Sequence, residues 1–187
     1  MDTDWTLCLG FIHCNRGACL HFYMKKDFNT AKTEDTTNTW LTPPELLQEL
    51  GEFDLDPSAA TGRPWDCARV NYTREDDGLT KEWFGRIWCN PPYGSEAGPF
   101  LKKMSEYNGP GLCLIFVRSD TRVWHDYILN SAKYIFFLKG RLKFCRIDGK
   151  AAAPANAPSC LVAWDESELP VLQELEKKGK GKIWKCC

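Results

Sequence analysis

The chain has no run of 18 or more apolar residues among its 187, which excludes a membrane-spanning helix. It has only three histidines, and none of its ten cysteines forms a C-x-x-C pair. Cys8, Cys14 and Cys19 lie near His13 and His21, but without the tight paired spacing of a structural zinc site, so no metal is assigned. A secretory leader is not expected either: residues 5–23 are only moderately apolar, lack a basic start and follow Asp2 and Asp4. Nor is there a large excess of charge. A net charge of −1 does not by itself advertise a nucleic-acid partner.

What is present describes a globular protein. Hydrophobic residues make up 43% and charged residues 26%, enough for one domain with a core of its own. Cys67, Cys89, Cys113, Cys145 and Cys160 mostly fall in apolar, strand-like settings, where a free thiol behaves as a small buried hydrophobe. That usage fits a reducing compartment. Cys186 and Cys187 are expected to be exposed and open to oxidation. Charge is distributed unevenly: residues 118–150 hold eight basic and three acidic residues, and residues 34–62 hold seven acidic and no basic ones. Such asymmetry suits a protein that meets phosphate on one face, although solvated charge on helices and loops explains it equally well.

The organisation along the chain predicts an N-terminal extension over residues 1–38 and one domain over residues 39–187. Residues 1–23 are rich in cysteine and aromatics without a clear period, and residues 25–38 are polar, as a mobile lead-in would be. Met24 is a candidate functional start; finding residues 1–23 in protein from the native host by mass spectrometry would exclude it. Order is expected from Trp40. Thr42 is placed as the N-cap of a helix with Pro43 at its first position, Leu46, Leu47 and Leu50 on its apolar face and Gly51 at its end. Strands are expected at residues 53–56, 68–72, 86–89, 112–117, 134–138 and 159–164, the last antiparallel to 141–146. Helices are expected at 98–107, around 124–132 and at 168–178, and a short amphipathic piece before Trp83 and Phe84. Residues 151–158 read as a mobile loop and 179–185 as a basic tail. Strands alternating with helices imply an α/β sheet with covered faces.

One stretch organises the rest. Ile87-Trp88-Cys89 runs into Asn90-Pro91-Pro92-Tyr93, so the tetrapeptide sits just past the carboxyl end of a buried strand, where ligands collect in open α/β sheets. Two prolines fix two φ angles and remove two N–H donors, and each pushes the residue before it toward extended geometry. The Asn90 side-chain oxygen and the Pro91 carbonyl can then accept both hydrogens of one exocyclic amino group, with Tyr93 as a flat face for a base. A strand-terminating turn is the plainer alternative.

Thr42-Pro43, Asp54–Ala59, Glu75–Leu79, Trp88–Tyr93 and Gly140–Phe144 occur in this order, with Arg118–Thr121 and Trp124–Tyr127 between the last two. The set resembles the amino-group DNA methyltransferases, and more narrowly the small phage-encoded DNA N6-adenine methyltransferases. The likeness spans residues 39–164. It implies a trimmed Rossmann-like α/β fold, a mixed sheet with flanking helices, and a site-specific transfer of a methyl group from S-adenosylmethionine to adenine N6. It further implies that Thr42, Pro43, Asp56, Pro57, Ser58, Ala59 and Asp77 lie against the cofactor. Asn90, Pro91 and Pro92 would hold the target amine, and Tyr93 would stack on a base flipped out of DNA. Arg118, Arg122, Arg141 and Lys143 are the candidate DNA contacts. A monomer or weak dimer in the cytoplasm of a bacterial host, encoded by phage or prophage, completes the expectation.

Two departures qualify the resemblance. Residues 56–62 retain one glycine instead of a glycine-rich cofactor loop, and only 34 positions separate Asp56 from Asn90. The ribose-binding acid is therefore open, with Glu75 and Asp76 as candidates. N4-cytosine methylation, protein glutamine methylation and a silent DNA- or partner-binding protein are the alternatives. His125 has no evident partner and reads as structural.

Overall fold

A computed structural model describes residues 39–186; the expected N-terminal extension, and with it the Met24 reading, lies outside them. The elements are α1 (Pro44–Leu50), β1 (Leu55–Asp56), β2 (Val70–Asn71), β3 (Ile87–Cys89), α2 (Ala97–Glu106), β4 (Gly111–Phe116), α3 (Arg122–Trp124), β5 (Tyr134–Leu138), β6 (Ser159–Ala163), α4 (Leu169–Lys177) and β7 (Gly181–Lys185). Helix α3 continues as a wider π-helical turn over His125–Leu129, and a 3-10 turn over Glu166–Glu168 leads into α4.

The strands form one mixed seven-stranded sheet in the order β2-β1-β3-β4-β6-β5-β7. β1, β2, β3 and β4 run parallel, whereas β6 is antiparallel to both β4 and β5, and β7 is antiparallel to β5. From β1 the chain goes to β2 on one side and then to β3 on the other, so a topological switch lies between β1 and β3. In open α/β sheets that is the crevice where ligands bind. The expected trimming shows in the connections, since no helix separates β1 from β3.

Strand alternation sorts the core onto two faces, as a period of two requires. Ile87 and Cys89 of β3, with Cys113 and Ile115 of β4, pack beneath Phe100, Leu101 and Met104 of α2 and beneath Trp124 and Ile128. Trp88, Leu112 and Leu114 face the other way, against Leu50 of α1 and Leu172 and Leu175 of α4. Both faces are covered, which is why β3 and β4 read as continuous apolar runs.

Several expectations change. Pro43, not Thr42, is the N-cap of α1, and Pro44 takes the first helical turn; the Thr42 side chain makes no cap hydrogen bond. β6 does not pair with 141–146: it lies between β4 and β5, and Cys145 makes only isolated bridges to Leu41 and Ala151. The basic tail is the edge strand β7, paired with all of β5 from Tyr134 to Leu138. Residues before Trp83 form turns, not an amphipathic helix. Cys186 is half-buried, its N–H donating to the Lys133 carbonyl at 2.9 Å. Cys187 lies outside the described residues.

Candidate active site

Because β1, β3, β4 and β5 are mutually parallel through the sheet, their carboxyl ends open onto one edge. Asn90 leaves β3 there, and its Nδ2 donates to the Trp40 carbonyl at 2.8 Å. That bond sets which way the amide faces, and it leaves Oδ1 for a ligand. The Tyr93 hydroxyl stands 3.5 Å from Oδ1, too long for a strong O–H···O bond, so the oxygen keeps its acceptor capacity. Pro91 is buried, whereas Asn90, Pro92 and Tyr93 are partly exposed.

Tyr93 is fixed by two rings. It stacks on Phe116 at the end of β4 with centroids 4.4 Å apart and 18° between planes, and Phe144 meets both rings edge-on at 6.0 Å. One face of Tyr93 is therefore occupied by protein, and a stacked base has only the opposite face. Burial pushes the phenol well above its ordinary range, so Tyr93 stays neutral and serves by its ring.

Asp56 ends β1, one strand from Asn90. It is 3% exposed, and its Oδ1 accepts from Ser58 N–H at 2.9 Å and from the Ser58 hydroxyl at 3.2 Å. Burial raises its carboxyl to about 6, against the opposing pull of the Ser58 bonds and the Arg63 charge. Ser58 Oγ is also 3.7 Å from Cys89 Sγ, which ties the 56–59 loop to the base of the Asn90 motif. Gly78 packs on the Pro57 carbonyl so closely that a Cβ there would collide with it. The Asp77–Leu79 turn is thereby held against the same loop. Asp77 itself is exposed and, among the described residues, is the one non-glycine residue with positive φ, at 50°.

The sequence-predicted residues Thr42, Pro43, Asp56, Pro57, Ser58, Ala59, Asp77 and Asn90 to Tyr93 thus share one sheet edge. Glu75 and Asp76 do not join them as ligand groups. Glu75 Oε2 accepts from the Thr61 and Thr73 hydroxyls, and Asp76 Oδ2 accepts from Thr73 N–H and hydroxyl; both hold their own turn and are exposed. Three participants were not foreseen. Asn71 ends β2 in register with Asp56 and keeps a buried Oδ1 without a hydrogen-bond partner. Phe116 backs Tyr93, and Trp40 orients Asn90. Only Asn71 left a signal, as a polar residue at the end of the expected strand 68–72; the others depend on chain crossings.

The match to the family model of DNA N-6-adenine-methyltransferases (Dam) covers residues 29–181. The chain belongs to this family. No curated protein and no solved structure matches it.

The Dam family's reaction needs a methyl donor, and the pocket's groups fit S-adenosylmethionine. The unpaired buried atoms here are Thr42 Oγ1 and Asn71 Oδ1, and Asp56 has one oxygen not engaged by Ser58. Such acceptors match a ligand bearing an ammonium, two ribose hydroxyls and an adenine amino group, since buried polar groups are costly unless paired. Among the described residues no group of three or more His, Cys, Asp or Glu side chains is placed to hold a metal. The candidate DNA contacts occupy the loops after β4 and β5 at the same edge. Arg118, Arg141 and Lys143 are exposed, and Arg122 is tied to Asp126 at 3.0 Å.

Proposed function

We propose that this Dam-family chain transfers a methyl group from S-adenosylmethionine to the N6 amino group of adenine in DNA, at specific sites. The observation that carries the reading is the Asn90 amide pinned by the Trp40 carbonyl, its Oδ1 directed away from that bond and beside a half-covered Tyr93 ring. An exocyclic amine is a poor nucleophile because its lone pair is delocalised into the ring. Asn90 Oδ1 and the Pro91 carbonyl accept its two hydrogens and favour a more tetrahedral nitrogen. The cofactor, when bound, supplies an electrophilic methyl group on its sulfonium. Asp56, Asn71, Thr42 and the Ser58 loop hold it from the β1–β2 side, and the Asp77 turn closes the outer wall.

The remaining contribution is positional. Orienting two reactants can be worth roughly 7–11 kcal/mol, and the two prolines together with the Trp40 bond keep Asn90 from having to reorganise. A base leaves the duplex at a cost of a few kcal/mol, which stacking on the open face of Tyr93, about 1–3 kcal/mol, helps to offset. Arg118, Arg141 and Lys143 would hold the phosphates. Among the described residues no helix is long and apolar enough to cross a membrane, in keeping with a DNA substrate.

The test is methyl transfer from labelled S-adenosylmethionine to unmethylated DNA, with nucleoside analysis of the product. N6-methyladenine formed by the wild type, and reduced by about a hundredfold or more in Asn90→Ala while cofactor binding persists, is the expected result. N4-methylcytosine would keep the mechanism and change the substrate. No transfer to DNA would overturn the reading.

A further inference from the structure

A cavity of about 290 Å³ opens beside the site, between α1, the loop after β5 and α4. It shares walls with the active site without belonging to it. Pro43 and Lys143 line it, and their chain neighbours Thr42 and Phe144 face the cofactor groups and Tyr93. Its size is at the lower end of ligand cavities, which run from roughly 300 Å³ upward. Leu46, Leu138, Leu142 and Leu175 supply an apolar lining suited to a flat ring.

Charge is arranged around that lining in two parts. Lys139, Arg141 and Lys143 line the cavity on the loop side, and none of the three has an ion pair among the described residues. On the α1 side Glu49 holds Lys180 through Oε1 at 2.9 Å. Its other oxygen, Oε2, is buried and accepts no hydrogen bond, the Lys178 ammonium lying 4.0 Å away. A buried carboxylate oxygen without a donor is unfavourable, and here it lines a cavity next to a DNA-modifying site. The occupant that satisfies all three features carries a phosphate, a flat ring and an N–H donor on the ring's edge.

We propose that this cavity is a specificity pocket for one nucleotide beside the target adenine. Lys139, Arg141 and Lys143 hold its phosphate, the leucines pack on the base, and Glu49 Oε2 accepts from an exocyclic amino group. Cytosine, adenine and guanine offer such a group and thymine does not; a carboxylate accepting from cytosine N4 is a known pairing. The pocket thus selects an amino-bearing base at one position next to the target, which accounts for sequence preference in a chain with no separate recognition domain. This rests on the DNA methyltransferase reading above.

The experiment uses the full chain and a library of duplexes with one adenine flanked by randomised bases, scoring both methylated and bound molecules. Three proteins are compared: wild type, Glu49→Gln, and Leu142→Trp, which fills the cavity from the other wall. The wild type is expected to disfavour thymine about tenfold or more at one flanking position, as one good base contact allows, and both variants are expected to lose that preference. A wild type that methylates without flanking preference, or variants that both keep it, would overturn the pocket. Absent methylation with selective binding that still depends on Glu49 and Leu142 supports the pocket and sinks the enzyme reading. Absence of both sinks both.

Discussion

Asp56 shows how one carboxyl can link stability to binding. Its folded value of about 6 lies above the ordinary carboxyl range, so the folded chain binds this proton more tightly than the unfolded one. Stability from this residue is fully present below about pH 4 and declines as pH rises to about 6, then stays flat. The unliganded Asp56→Asn protein should therefore melt several degrees higher than wild type near pH 7.5 and equally near pH 4, as calorimetry at the two values would show. Ligand donors favour the ionised form, so affinity for S-adenosylmethionine should fall by up to tenfold per unit as pH drops below about 6. A flat titration of affinity would remove Asp56 from the cofactor site. Tyr93 behaves oppositely: its phenol stays neutral across this range, so no activity limb should be assigned to it.

At the scale of elements, Arg86 is the clasp. It precedes β3, and its guanidinium meets the carboxylate of Glu168, just before α4, at 2.6 and 2.8 Å. It also donates to the Leu50 and Glu52 carbonyls at the end of α1, each at 2.9 Å, and lies 4.3 Å from the Phe53 ring centroid. Glu168 is 1% exposed, so losing its partner strands a buried charge. Arg86→Met should cost about 3–5 kcal/mol, and Arg86→Met with Glu168→Leu distinctly less, by urea unfolding. Equal losses in the single and double variants would mean that the clasp matters through packing alone. Strand β7 has a comparable role at the other end, covering the edge of β5 that would otherwise expose unpaired backbone.

For the whole molecule, the parallel strands decide where DNA can approach. The loops after β4 and β5 leave at the edge that carries Asn90, which gathers Arg118, Arg141 and Lys143 on one side of a chain whose net charge is only −1. Arg141→Ala should weaken binding to all sequences and reduce the slope of log affinity against log salt by about one. An unchanged slope in fluorescence anisotropy would take Arg141 out of the footprint. Arg122 should matter less, because Asp126 already engages it.

Local patterns were enough for much of this. The Asn90-Pro91-Pro92-Tyr93 stretch announces itself because its stiffness is a property of consecutive residues, and β3, β4 and β5 are apolar runs that only a doubly covered strand needs. The acid at the end of β1 was legible for the same reason. Partners far apart in sequence were not. Nothing near Asn90 predicts that the Trp40 carbonyl will hold its amide, nor that Phe116 will close one face of Tyr93. The pairing of β6 between β4 and β5, and of β7 on β5, was missed because antiparallel partners chosen across long connections leave no local period, and Lys182 and Lys185 disguised an edge strand as a tail. Composition and spacing determined the elements and the chemistry; the order of strands decided which distant side chains share one edge, because only the closed sheet brings their ends within bonding distance.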